Sequence, residues 1–487
     1  MTGSGLGVGV GLVLCFGALS GSPAASAQVI PPDRSAPPPV LDPSPPPFPP
    51  VQVLALSDGT PVWLIERHEL PLIRVEVSLR RGSLDLDDPL PALMAEALLG
   101  EGTTHREATE LDDALSDLGA ELDLGLGALR AWADLSLIRG TEAEALALQR
   151  EALLEPRLPR DELRRTRRAW IRERREAWRS GDAVLSAALT EAVYPAEHPL
   201  GIVYGARDYR GLRLRAVRAA WATELESAQP MFLVVGDTTA AAILPELERA
   251  WAGRLPGEAV APPLAPPPKH GRRLILVDQP GTSQTLITLS LPAPVPGSAD
   301  EVAFTLANTV LGGTFTSRLN RNLREEKGYT YGVYSEINGW PGHARCQIST
   351  SVEAKFAALA VAELLSELAR MGSHPPDAVE LRAARNALLL SGNDALTTLA
   401  GLGYPFGRAQ TWGDAPEAVG ARYAALAATT DAEVVAAARR LSAEGAEPIV
   451  VIVGDAEVVE PLLEAAGLAP DARWDRRRLV AGRRAAR

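Results

Sequence analysis

The chain is predicted to be an α+β protein of two homologous domains, each a mostly antiparallel sheet with helices packed on one face. Its 487 residues exceed what one ordinary hydrophobic core holds, so two or more domains are expected. Strand-like and helix-like stretches interleave without the regular β-α alternation of a parallel sheet. The order of parts in the first half also recurs in the second, at one offset of about two hundred residues, which marks a duplicated domain and not a short repeat. A composition of 46% hydrophobic and 23% charged residues is that of a folded chain.

At the N-terminus, Gly5 to Leu19 is a short apolar run followed by Ala25-Ser26-Ala27. That small-x-small pattern suits signal-peptidase cleavage before Gln28, although no Lys or Arg precedes the run. Residues 1–27 are therefore expected to be a signal peptide and the protein to be exported, to the periplasm or otherwise outside the cytoplasm. The run is short for a transmembrane helix, so no membrane span is expected in the mature chain. Lipidation at Cys15 is disfavoured because Leu14 occupies a position that needs a small residue. Residues 28–50 are crowded with proline and read as an extended tether. A second Pro-rich stretch, 256–271, separates a domain at 51–255 from another at 272–470. The basic tail, 471–487, is expected to fray.

The duplication is read from paired strands. Val62 to Glu66 and Val75 to Leu79 in the first half match Leu274 to Asp278 and Thr285 to Leu289 in the second. Each half closes on an apolar strand running into Gly-Asp, at Met231 to Asp237 and Ile449 to Asp455, followed by an amphipathic helix. Between these landmarks a helix starts near Thr109, with acids in its first turn and Leu111, Leu115 and Leu118 on one side, and stops at Gly119. In the second half Ala299 to Leu311 is helical in pattern, and Ser317 can cap a helix that Gly328 ends.

A net charge of −12 excludes a general nucleic-acid binder, whose phosphate contacts need clustered Lys and Arg. The Arg-rich stretch from Arg164 to Arg179 also carries Glu173 and Glu176, which marks a solvated helix face laced with ion pairs. With Cys346 alone in the mature chain, no internal disulfide forms.

Leu311-Gly312-Gly313-Thr314-Phe315-Thr316-Ser317-Arg318-Leu319, running on through Leu323-Arg324-Glu325-Glu326-Lys327-Gly328-Tyr329-Thr330-Tyr331, is the most specific local pattern. Together with the weaker Gly82-Ser83-Leu84-Asp85 and Glu101-Gly102-Thr103, it resembles the insulinase/pitrilysin metallopeptidases, in particular their mitochondrial-processing-type branch. The resemblance implies two such domains arranged around a chamber. Active members carry His-x-x-Glu-His on a helix, where two imidazoles four residues apart bind zinc and the Glu acts as general base. Placed by Glu101-Gly102-Thr103, that motif falls on Leu93-Met94-Ala95-Glu96-Ala97. Both His positions, Leu93 and Ala97, are apolar, and Glu96 keeps the general-base position. The helix of the third ligand aligns with Leu163 to Arg172, a stretch without Asp or Glu, whereas a catalytic zinc needs three protein ligands. Glu96 by itself is also an ordinary helix-surface carboxylate. The six histidines (His68, His105, His198, His270, His343, His374) include no pair spaced for one helix face, and His105 reads as a surface-loop residue. No cofactor is expected on this chain.

In the family the C-terminal half supplies an Arg and a Tyr that face the zinc, and by motif these fall on Arg324 and Tyr331. Both can donate hydrogen bonds to a peptide carbonyl as it gains negative charge. From the residues alone, Arg324 is a solvent-facing helix residue paired with a nearby Glu, and Tyr331 packs in a strand over Tyr329 to Tyr334. Gly312 and Gly313 permit a tight turn or contact substrate. The resemblance implies a chain inactive alone that pairs with a zinc-bearing homologue and completes a chamber for peptide or unfolded polypeptide. The alternative is a non-enzymatic peptide-binding or scaffold protein of the same fold.

Overall fold

The computed structural model describes residues 42–227, 230–253, 264–268, 271–442 and 447–482. The expected signal peptide, Cys15, the tether before residue 42, most of the linker and the last five residues lie outside the described residues. Two six-stranded sheets are built within one compact unit that starts at Pro43. The first uses β1 (Gln52–Ala55), β2 (Pro61–Glu66), β3 (Leu72–Leu79), β4 (Glu121–Leu126), β5 (Ala131–Ile138) and β6 (Pro230–Gly236), in the order β1-β2-β6-β3-β5-β4. The second uses β7 (Arg273–Asp278), β8 (Gln284–Pro292), β9 (Val333–Trp340), β10 (His343–Glu353), β11 (Ile449–Gly454) and β12 (Ala472–Trp474), in the order β12-β7-β11-β8-β10-β9. Five strands correspond one for one (β2-β6-β3-β5-β4 and β7-β11-β8-β10-β9), so the duplication read from the sequence is a duplication of topology, while the edge strands differ: β1 is antiparallel to β2 and β12 is parallel to β7. Both sheets are mostly antiparallel, with β2 parallel to β6 and β7 parallel to β11.

The helices of the first half are α1 (Leu90–Glu96), α2 (Ala108–Asp117), α3 (Glu142–Leu154), α4 (Arg160–Glu176), α5 (Gly181–Val193), α6 (Ala206–Gly211), α7 (Leu214–Ser227) and α8 (Ala240–Trp251). Those of the second are α9 (Glu301–Asn308), α10 (Ala357–Ser373), α11 (Ala378–Ala395), α12 (Leu399–Trp412), α13 (Glu417–Ala428), α14 (Asp431–Leu441), α15 (Ala456–Ala465) and α16 (Arg476–Val480). On the inner face of the first sheet Val62, Leu64, Val75 and Val234 meet Leu115, Leu146, Trp221 and Leu247 from the helices. Leu276, Leu289 and Ile452 meet Leu306, Leu364 and Val434 in the second half.

The central strands are apolar at consecutive positions, which calls for cover on both faces, and the second cover is exchanged between halves. Helix α5 of the first half lays Val184, Ala188 and Val193 on Ile275, Val277, Val451 and Val453 of the second sheet. Helix α12 of the second half lays Leu402, Phe406 and Ala409 on Trp63, Ile65, Leu233 and Val235 of the first. Beneath α12 lies a buried charge layer. Arg74 donates to Asp134 at 2.8 and 2.6 Å and to Glu76 at 3.1 Å, and Arg130 also reaches Glu76. Gly403 is what lets the helix settle there, since a Cβ at that position would lie 1.9 Å from Arg74 Nη1.

Two expectations are corrected at the chain ends. The described end of the tether, from Pro43, belongs to the compact unit. Pro46 is buried, and Phe48 packs against Phe406 and Tyr423 with ring centroids 5.8 and 5.2 Å apart. The basic tail does not fray over its described part. Strand β12 pairs with β7, and α16 buries Leu479 and Val480 against α5. In both segments apolar side chains between the prolines or arginines supply the anchor.

Candidate functional site

Helix α1 opens behind Pro89 with Pro91 in its first turn, where a missing N–H is harmless. Leu90, Ala92, Met94 and Ala95 are buried, and this anchoring fixes how the rest of the helix faces. Leu93, Glu96 and Ala97 fall on one stripe at i, i+3 and i+4, with Leu93 half-buried, Glu96 half-buried and Ala97 exposed. Leu90, Leu93 and Glu96 form one wall of a 260 Å³ cavity, and Trp170, Glu173 and Arg174 of α4 form another. Burial raises the Glu96 carboxyl above the usual carboxylate range, and Asp123 adds to the shift. The acid-free stretch at 163–172 is thus only part of the helix that faces α1. Helix α4 runs on to Glu176, and Glu173 lines the same cavity as Glu96. Reading one more turn of the Arg-rich helix would have found it.

The second-half motif folds as a run of wide turns. Helix α9 passes into π-helical turns over Thr309–Gly313, and another π-helical stretch spans Asn320–Glu326 before Gly328 ends it at φ +64°. Ser317 does not cap through a side-chain bond to backbone. Its carbonyl accepts from the Arg321 N–H at 2.9 Å and its hydroxyl from Asn320 Nδ2 at 3.2 Å. Gly312 is buried where a Cβ would meet Ser335 Cβ at 2.6 Å, so close packing alone requires glycine there, while Gly313 is exposed. Arg318 makes a two-pronged bond to Glu380 (2.8 and 2.6 Å), and Asn320 bonds the Val333 carbonyl at 2.8 Å and N–H at 3.0 Å. Sequence reasoning passed over Arg318 and Asn320, whose roles depend on partners far along the chain.

Arg324 sits with its guanidinium 3.6 Å from the centroid of the Phe315 ring, a cation–π contact. Glu325 is 3.7 Å from Arg324 Nη1, too far for a hydrogen bond. Tyr331 is 100% exposed, Tyr334 is 70% exposed and Phe315 62%. The expected strand over Tyr329 to Tyr334 starts only at Val333, so Tyr331 does not pack. Arg324 and Tyr331 do not line the Glu96 cavity.

An open cavity of 690 Å³ lies between the halves, with Arg130 and Trp132 on one side and Gly313, Ser335, Trp340 and Arg408 on the other. Trp132 Nε1 donates to Asp123 at 3.0 Å, which links this chamber to the acid beside Glu96. Of the histidines, His105 is exposed and bonds Glu155 at 2.7 Å. His198 and His343 come together across the halves, 6.4 Å apart by ring centroid, with Tyr194 Oη 3.0 Å from His343 Nε2. Burial drops the His343 pKa to about 4.

Residues 216–388 match the family described as Peptidase M16 inactive domain. The fold is that of a peptidase M16 inactive domain from Pseudomonas fluorescens, at 21% identity and a TM-score of 0.74 over 83% of this chain and 97% of that one. That match covers the middle of the chain, and the shared fold extends over most of it. Similar folds occur in a protease from Helicobacter pylori (18% identity, TM-score 0.72, 83% and 100% covered) and in the periplasmic protease PqqL of Escherichia coli (13%, 0.72, 83% and 45%). Uncharacterized zinc proteases of Mycobacterium tuberculosis and Mycobacterium bovis are 28% identical over 150 residues, 29% of this chain. The matched stretch spans about a third (34%) of the length of those relatives.

The donor set on α1 and α4 does not fit a catalytic zinc. Leucine and alanine offer no lone pair where imidazoles belong, and Glu96 and Glu173 leave the site short of three ligands. Among the described residues no group of three or more His, Cys, Asp or Glu is placed to hold a metal ion. No helix of the described residues is long and apolar enough to cross a membrane.

Proposed function

We propose that this chain is the non-catalytic subunit of a heterodimeric zinc metallopeptidase of the insulinase superfamily. It completes the peptide chamber and presents Arg324 and Tyr331 to a zinc-bearing homologue during peptide-bond hydrolysis. The observation that carries the reading is the state of the second-half motif. Arg324 is braced on Phe315, and Tyr331 is left wholly in solvent, while α1 has lost its imidazoles. Exposed aromatics beside an Arg suit a surface that a partner covers. Arg324 and Tyr331 would donate to the developing oxyanion, and Gly313 would lie against peptide backbone. The zinc belongs to the partner, and no step is assigned to it on this chain. A signal peptide at 1–27, as expected from the sequence, would carry the pair out of the cytoplasm.

The test is co-expression with an insulinase-family chain that retains His-x-x-Glu-His, followed by metal analysis and peptide hydrolysis. The complex is expected to hold zinc and be active. Arg324→Ala is expected to leave assembly intact and lower kcat by roughly 10²–10³. Full activity in that variant would remove Arg324 from the reaction. A stable particle that binds peptide with no zinc-bearing homologue attached would favour the scaffold reading.

A further inference from the structure

We propose that the space between α5 and the second sheet is a binding site for a carboxylate carried on an apolar body. It would take a free aliphatic acid or the C-terminal residue of a peptide. The outer face of this sheet changes character along its width. Under α5 the strands β7 and β11 are apolar, but β8 and β10 turn Thr288, Ser290, Arg345, Gln347 and Ser349 to that face, at alternate positions in mutual register. Thr288, Arg345, Gln347 and Ser349 line a 340 Å³ cavity roofed by Leu185, Leu189 and Val193. One wall is hydrogen-bonding and the other is aliphatic.

Arg345 is the reason to expect an anion. It is 6% exposed, donates from Nε to Ser290 Oγ at 2.7 Å and from Nη2 to the Ser290 carbonyl at 3.0 Å. Its Nη1 makes no hydrogen bond among the described residues, and no carboxylate there lies within ion-pair distance of it. Asp182, the acid at the rim of the cavity, is exposed in the first turn of α5 and does not pair with it. An arginine does not discharge in a protein, and a buried unpaired charge is strongly unfavourable. The first half shows the usual remedy. In the corresponding layer beneath α12, Arg74 is neutralised by Asp134 and Glu76. In the second half Glu336 of β9 stands on the same face, opposite Gln347, but it is exposed and accepts from Asn338 Nδ2 at 3.0 Å. Among the described residues no carboxylate pairs with this guanidinium, so it is left for one from outside. Tyr194 Oη bonds His343, and the polar groups around the opening include Arg345 Nη1, Gln347, Ser186 and Thr190, with Asp182 at the rim.

The test uses the full-length chain, titrated calorimetrically with hexanoate, with N-acetyl-leucine and with N-acetyl-leucinamide, alongside thermal melts. Saturable binding of either carboxylate, with the amide about tenfold weaker or more, is expected. Preference for N-acetyl-leucine would point to peptide C-termini, and preference for hexanoate to free acids. Arg345→Met is expected to abolish binding and to raise the ligand-free Tm, because it removes an uncompensated buried charge. Leu189→Trp, which fills the cavity and keeps Arg345, is expected to abolish binding as well. Equal affinity for acid and amide, no binding of either acid, or a lowered Tm with binding intact in Arg345→Met would each overturn the site.

Discussion

At the scale of single residues, the carboxylates behind and beside the degenerate helix are the most informative groups. Glu224 on α7, which packs against α1, is 0% exposed, and neither of its oxygens has a hydrogen-bond partner among the described residues. Arg81 Nε stands 3.6 Å away. Burial pushes the Glu224 pKa from 4.5 up to about 7, with Asp85 adding to the shift. The folded state therefore holds a proton between those values that the unfolded chain has released, and stability falls as pH rises through that window. Glu224→Gln has no such dependence. Its stability relative to the native chain is expected to grow from pH 4.5 to 7 and level off above, as read from urea midpoints at both ends. A constant difference would mean that Glu224 is charged throughout. None of this shows in the sequence, where Glu224 stands in Ala-Thr-Glu-Leu-Glu-Ser and reads as a surface acid. Leu93 and Ala97 are the opposite case. Two apolar side chains at helical spacing offer no metal ligand, and that is legible without any structure.

Helix α12 shows how an element earns its place by what it lacks. Gly403 and Gly407 recur at one-turn spacing, on the face that meets Arg74 and Glu76. A glycine inside a helix normally lowers stability by about 0.5–1 kcal/mol relative to alanine, so both positions invite replacement. At Gly403 the added methyl would displace a guanidinium pinned by Asp134 and Glu76, and Gly403→Ala is expected to destabilise by about 1–3 kcal/mol. Gly420 on α13 has nothing within 4 Å of its would-be Cβ. Gly420→Ala is expected to stabilise by about 0.5–1 kcal/mol. Chemical denaturation of the pair separates packing from propensity, and a gain at Gly403 would mean that the helix does not press on the charge layer. The run from Phe315 to Tyr334, which buries Leu319, Leu323 and Val333 and exposes Phe315, Tyr331 and Tyr334, belongs to the same scale. Its wide turns hold Arg324 against Phe315 and leave Tyr331 unsupported, an arrangement that strand periodicity did not foretell because the strand starts two residues later.

For the whole molecule, the exchange of α5 and α12 makes the halves depend on each other. The apolar part of each sheet's outer face is covered chiefly by a helix of the other half, so neither half has a complete core of its own. The two chain ends strengthen the tie. Phe48 inserts beside Phe406 and Tyr423, and α16 seals α5 with Leu479 and Val480. A chain ending at Pro470 loses β12 and that seal. From the two buried side chains alone it is expected to lose roughly 3–6 kcal/mol, measured as a drop in urea midpoint. An unchanged midpoint would mean that the tail adds nothing to the fold.

The sequence by itself determined the duplication, the order and type of the central strands, and the apolar identity of Leu93 and Ala97. Each is carried by local pattern, whether alternation, an apolar run before Gly-Asp, or side-chain identity at i and i+4. Only the tertiary structure decided which helix covers which sheet, that the ends are anchored, and that Glu173 shares a cavity with Glu96. It alone left Arg345 without the acid that Arg74 has. Those facts are relations between residues tens to hundreds of positions apart. Burial and pairing are properties of what surrounds a side chain, and no local pattern encodes the surroundings.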